Sequence, residues 1–207
     1  MHEPRYKSLL VWEPFPYILL FVLVVIAGSI SPSAAPIAFW IAAALAGLAT
    51  IYFIIAFVVT GRGGRGNPDA EGNLRSLDGL EFVSAEHDDG ETRPFVSVED
   101  ARRHQASIEI ALAHGGEHLR AVLVPRASRW LSLRYRVGVQ LVAGDRIRHA
   151  GFLPEAAEQH WVDRLGALRR EGAFVSVPAR IRGAERPRAV ELDVSGLAAA
   201  MQARSSS

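Results

Sequence analysis

The stretch "RIRHAGFLPEAAEQHWVDRL", Arg146 to Leu165, reads as a strand that runs through Phe152 and Leu153, stops at Pro154 and becomes a helix. Pro154 suits a first helical turn, where its missing N–H costs nothing, and Glu155 and Glu158 favour the positive end of the helix dipole. The helix is expected to reach about Arg170, whose cationic neighbours suit a C-terminus, before Gly172 ends it. Working outward, "LRYRVGVQLV", Leu133 to Val142, alternates apolar and polar residues and turns at Ala143-Gly144-Asp145 into Arg146, which predicts a β-hairpin. "HLRAVLVP", His118 to Pro125, is a strand rich in branched side chains that the proline is expected to stop. Val98 to Ala113 is expected to be helical, opening with Glu99 and Asp100 and closing before Gly115-Gly116. "LEFVSA" and "FVSV" precede that helix as short strands, and "AFVSVPARIR" and "RAVELDV" follow Gly172. About six or seven strands around two helices predict an α+β domain with a small curved or barrel-like antiparallel sheet. Its expected extent is residues 80–197, with 198–207 as a tail whose end, Gln202 to Ser207, is expected to fray.

The N-terminal quarter has another character. From Pro14 to Gly61 there is no charged side chain, and the run is about twice the 20 or so apolar residues that a helix needs to cross roughly 30 Å of hydrocarbon. "SISPSAAP", Ser29 to Pro36, divides it with two prolines. Residues 1–61 are therefore expected to form a hairpin of two transmembrane helices, near Phe15 to Ile30 and Ile37 to Thr60. Trp12, Phe15 and Tyr17, and again Phe39 and Trp40, are the amphipathic rings that settle at membrane interfaces. Arg5 and Lys7 precede the first helix, Arg62 and Arg65 follow the second, and the loop between them has no basic residue. The excess of cations places both termini in the cytoplasm and the chain in the inner membrane as a multi-pass protein. A cleaved signal peptide would share the basic start and the small residues Ser33 to Ala35, but Glu13, Pro14 and Pro16 fit it badly. Neither span carries an ionisable group, so nothing marks an ion or proton path. "GRGGRGNPDAEGNLRS" opens a flexible linker over 62–79.

The 207 residues contain no Cys, which excludes disulfides, thiol catalysis and Cys-ligated zinc or iron–sulfur sites. Lys7 is the single lysine among the 23 basic residues. So lopsided a preference for arginine reflects a compositional bias and weakens any argument from each arginine separately.

The order "HLRAVLVP", "AGFLPEAAEQHW", helix, "VSVPARIRG", "RAVELDV" resembles the HIRAN family, of which many members are uncharacterised bacterial proteins. In that family a Val-Gly-Tyr-Leu-Pro-like phrase leads into an acidic, alanine-rich helix start; Ala150, Gly151, Phe152, Leu153 and Pro154 stand in those places. The resemblance spans roughly Gln105 to Val194 and implies a small β-barrel-like module, some relatives of which bind single-stranded DNA ends. The family's Asn-Pro-x-Asp-x-Asn-Ala-like loop, which contributes to the DNA site, is replaced here by "RASRWLSLRYRVGV". The fold is carried over and the DNA-binding residues are not.

Binding chemistry is read from arginine spacing. Arg134 with Arg136, Arg146 with Arg148, and Arg180 with Arg182 each put two cations on one strand face, and the first two pairs are expected to adjoin across the hairpin. Trp130 and Tyr135 lie nearby. A solvated sheet face in an arginine-biased chain explains them most simply. The binding alternatives are anionic lipid headgroups beneath the bilayer, then an acidic protein, or single-stranded nucleic acid held by phosphate contact and base stacking. His114 and His118 flank "GGE", and a degenerate hydrolase or metal enzyme would need them to converge with His149 and an acid. No motif supplies a catalytic nucleophile, a metal or a cofactor, so the expected role is a non-enzymatic, membrane-anchored binding module.

Overall fold

The computed structural model describes residues 5–9, 12, 14–61, 74, 77, 79–87, 95–115, 119–128, 131–144 and 146–205, in two compact units. One holds α1 (Phe15–Ser29) and α2 (Pro36–Gly61). Pro14 and Pro16 fix the start of α1, and Ile30 leaves helical geometry one residue ahead of the loop that leads to Pro36. The helices pack as an antiparallel pair, the Tyr17 ring near the start of α1 meeting Phe53 late in α2 edge-on at 4.8 Å. Two of their hydroxyls are satisfied locally: Ser29 and Thr50 each donate a proton to the carbonyl one turn earlier, at 2.7 and 2.8 Å. Large apolar side chains point outward on every side, among them Phe21, Trp40, Leu48 and Tyr52, each more than 60% exposed. Among the described residues only α2, through Pro36–Ile55, is long and apolar enough to cross a membrane. The 15 residues of α1 rise about 22 Å, short of the hydrocarbon thickness.

The other unit, in its described residues, is a curled, seven-stranded half-barrel with three helices. Its strands are β1 (Glu81–Ser84), β2 (Phe95–Ser97), β3 (Arg120–Ser128), β4 (Tyr135–Ala143), β5 (Arg146–Phe152), β6 (Ala173–Arg182) and β7 (Ala189–Asp193). The helices are α3 (Gln105–His114, preceded by a 3₁₀ turn at Ala101–His104), α4 (Glu155–Arg170) and α5 (Leu197–Ser205). Sheet order is β2-β7-β6-β3-β4-β5. The long β6 makes the curl possible, because its first half pairs with β3 and its second half with β7. The two ends of the path approach at one bridge, where Glu99 and Phe152 exchange backbone hydrogen bonds of 2.9 and 3.0 Å. Gly151 permits it: its φ is +140°, and a Cβ there would collide with the Glu99 carbonyl oxygen.

The main core fills the inside of the curl. Leu123, Val139, Leu141, Val175 and Leu192 meet Ile108 of α3, Leu165 of α4 and Leu197 of α5, all almost fully buried. A smaller cluster on the other sheet face gathers Val122, Val124 and Phe174 under Leu74, with Leu77 and Leu80 packed on it.

Several expectations change. The sheet is not wholly antiparallel, since β1 runs parallel to β6 with Glu81 opposite Ala173. Pro125 does not end β3; it sits in an irregularity between Val124 and Ala127 where no ladder N–H is required, and Arg126 takes up the bend at φ +64°. Residues 202–205 of the expected frayed end are helical, because α5 occupies 197–205 and buries Leu197 and Met201, while 206 and 207 lie outside the described residues. The linker yields Leu74 and Leu77 to the second cluster, so the domain starts before residue 80; residues 62–73 lie outside the described residues. α3 begins at Gln105 rather than Val98, because Val98 and Glu99 are committed to backbone pairing with Val190 and Phe152.

Candidate binding surface

Arg136 of β4, and Arg134 just ahead of it, stand at the seam between sheet and α4. Arg136 donates from Nε to Glu158 Oε2 at 2.8 Å, and from a terminal nitrogen to Glu99 at 2.9 Å and the Leu153 carbonyl at 2.6 Å. Arg134 donates to Glu155 at 2.7 Å and lies 3.6 Å from Glu158. Glu158 is almost fully buried, so α4 brings a carboxylate into the interior only because two guanidinium groups meet it there. Burial works against the charge of Arg136, but Glu158 and Glu99 outweigh it and hold its pKa above the ordinary arginine value. The hydrogen bond from Arg134 holds the Glu155 carboxyl below the usual range.

The pair on β6 is also engaged. Arg180 and Arg182 share Glu191 at 2.6 and 2.9 Å, and the Arg180 guanidinium lies 3.4 Å from the centre of the Phe95 ring. On β5, Arg146 is exposed and Arg148 is half-buried, its Nε lacking a hydrogen-bond partner. The expected meeting of Arg134 and Arg136 with Arg146 and Arg148 does not occur. An antiparallel hairpin turning at Gly144 sets Arg146 opposite Ala143 and Arg148 opposite Leu141, while the start of β4 faces Ala127 and Ser128 of β3. Tyr135 receives a hydrogen bond from Arg126 at 3.3 Å, and that guanidinium covers its ring at 4.7 Å from the centroid. Trp130 lies outside the described residues.

Three features escape a reading by motif. An apolar cavity of about 360 Å³ opens on the second sheet face, between Leu77, Phe82, Val122 and Val142, with Arg120 and Ser176 on its wall. Arg120 is held by Ser176, Glu86 and the carbonyls of Ala85 and Ser176, at 2.9 to 3.1 Å. His149 packs edge-on against His104 at 4.5 Å and Phe152 at 5.1 Å, with its Nδ1 3.2 Å from the Gln140 amide nitrogen. The third is a chain of His87, Asp193 and Ser195. Nδ1 of His87 is 2.5 Å from one Asp193 oxygen; the hydroxyl and N–H of Ser195 donate to the other at 2.6 and 3.0 Å. Burial opposes the charge of Asp193, but the bonds from Ser195 and His87 outweigh it and keep its pKa low. The carboxylate stands between hydroxyl and imidazole, whereas activating a serine requires those two to touch.

His114 sits on α3 with Nδ1 2.9 Å from the Ile110 carbonyl oxygen, and His118 lies outside the described residues. Among the described residues no three His, Asp or Glu side chains are placed to share a metal ion. The sequence signals for these contacts are weak, because the partners of His87 and Arg120 lie 106 and 56 positions away. No protein-family model, curated protein or solved structure matches the chain.

Proposed function

We propose that the chain is a membrane-anchored, non-enzymatic binding module, with α1 and α2 inserted as a two-pass hairpin and the HIRAN-like half-barrel on the cytoplasmic side of the inner membrane. The observation that carries this reading is the helix pair itself: charge-free from Pro14 to Gly61, with large apolar side chains exposed on every side. Such surface is stable against acyl chains and unstable in water. Arg5 and Lys7 before α1, and Arg62 and Arg65 after α2, support the cytoplasmic placement of both termini. The HIRAN-like reading draws support from Gly151, whose missing Cβ admits Glu99, and from Pro154, which starts α4. Binding is favoured over catalysis because the candidate side chains are turned to one another: Arg134 and Arg136 to glutamates, Ser195 to Asp193 instead of to His87.

The absence of cysteine makes the test clean. Single cysteines replacing Ser8 and Gln202 in the full chain would be probed with an impermeant maleimide on right-side-out and inverted membrane vesicles. Both are expected to react only in inverted vesicles, and the chain is expected to stay with the membrane through a high-pH wash. Release by the wash overturns the anchor, labelling of one site alone from outside overturns the two-pass topology, and labelling of both overturns the cytoplasmic placement.

A further inference from the structure

Among the described residues, matching arginines to carboxylates leaves single arginines such as Arg148, Arg164 and Arg188 over, and beside α3 one adjacent pair. Arg120, Arg134, Arg136, Arg180, Arg182, Arg186 and Arg204 each have a glutamate partner. Arg102 and Arg103, in the 3₁₀ turn before α3, are exposed and have no ion-pair partner among the described residues. The helix they lead into buries Ile108 and Ala111 against the sheet. Helical spacing then turns Ala106, Ile110 and Ala113 outward on the side that Arg103 begins, and Ile110 is 38% exposed. Glu109 is the only acid on α3, and Arg186 takes both of its oxygens. The surface is thus cationic at one end, apolar along its length and neutralised at its single carboxylate.

We propose that the 3₁₀ turn and the outer face of α3 are the surface on which the domain rests against anionic lipid headgroups; this depends on the membrane anchoring proposed above. The two spare cations suit phosphodiester charge, while Ile110 reaches toward the acyl boundary between Ala106 and Ala113. Tethering makes a weak contact sufficient. Residues 62–73 cannot span more than about 45 Å even when fully extended, so the domain never leaves the neighbourhood of the bilayer.

The full chain would carry one dye at a time on Ile110→Cys, Tyr52→Cys or Gln202→Cys. It would be reconstituted in phosphatidylcholine vesicles with or without phosphatidylglycerol, with lipid-borne quenchers. At Ile110 the dye is expected to be quenched in anionic vesicles and not in neutral ones, and to recover at high salt. Arg102→Glu with Arg103→Glu should weaken the contact by at least roughly thirty-fold, since two cations are lost. At Tyr52, acyl-chain quenching in both vesicle types reports the anchor independently. Quenching at Tyr52 with identical signals from Ile110 in both lipids overturns the docking surface and leaves the anchor standing; no quenching at Tyr52 overturns both. Equal anionic quenching at Gln202 of α5 also overturns the proposal, because adhesion would then have no preferred face.

Discussion

His149 shows how one side chain can tie stability to pH. It is enclosed by Phe152, His104 and the Gln140 amide, and burial, with His104 adding to it and Asp100 opposing, lowers its pKa from 6.5 to about 4. The unfolded chain therefore takes up a proton on this ring at a pH where the folded one does not. The stabilisation is complete above pH 6.5 and is lost as pH falls toward 4, amounting to about 3 kcal/mol at most. The urea midpoint of the intact protein in detergent is expected to fall across that interval, and that of His149→Gln to stay nearly level down to about pH 5. Below that, carboxyls held at low pKa by their arginines, such as Glu81 and Glu155, add their own acid sensitivity. None of this was legible locally, since Gln140 and His149 meet across a hairpin and His104 comes from the 3₁₀ turn.

Among elements, α4 was the most legible. Pro154 at its start, Glu155 and Glu158 in its first turn and Arg169 and Arg170 in its last are all local signals, and the helix ends at Arg170 as its sequence predicts. Periodicity could not reveal how α4 is held. Arg136 finds Glu158 at 22 positions and Glu99 at 37, so a pair that alternates like a solvated strand face proves to be an interior rivet. Glu158→Ala would remove the buried partner of a guanidinium only 13% exposed, leaving it Glu99 and the Leu153 carbonyl, and an unfolding titration should show a loss of about 1 to 3 kcal/mol. Replacing both partners with apolar residues, Arg136→Met with Glu158→Leu, should recover most of it. If the single and double variants are equally unstable, the ion pair is not what fixes α4. The same blindness to distance hid the parallel pairing of β1 and the burial of α5, both of which depend on residues from the other end of the domain.

For the whole molecule, composition was a sharper guide than motif. The break at Gly61 between charge-free and charge-rich sequence separates the apolar helix pair from the half-barrel, although Leu74 and Leu77 show the domain reaching back into the expected linker. Deleting residues 14–61 is expected to convert a chain that sediments with membranes into one that stays in the supernatant and keeps the half-barrel's circular dichroism. A deletion product that still sediments, while folded, would place the membrane affinity in the half-barrel instead. The pairing of β1 with β6 also sets an order of events during synthesis. Glu81 leaves the ribosome early, but Ala173, its partner in the sheet, does not exist until the intervening chain has been made. In the proposed anchored arrangement, the apolar helices then have time to find lipid while the first strand is still single, and the half-barrel closes on a chain whose other end is already moored.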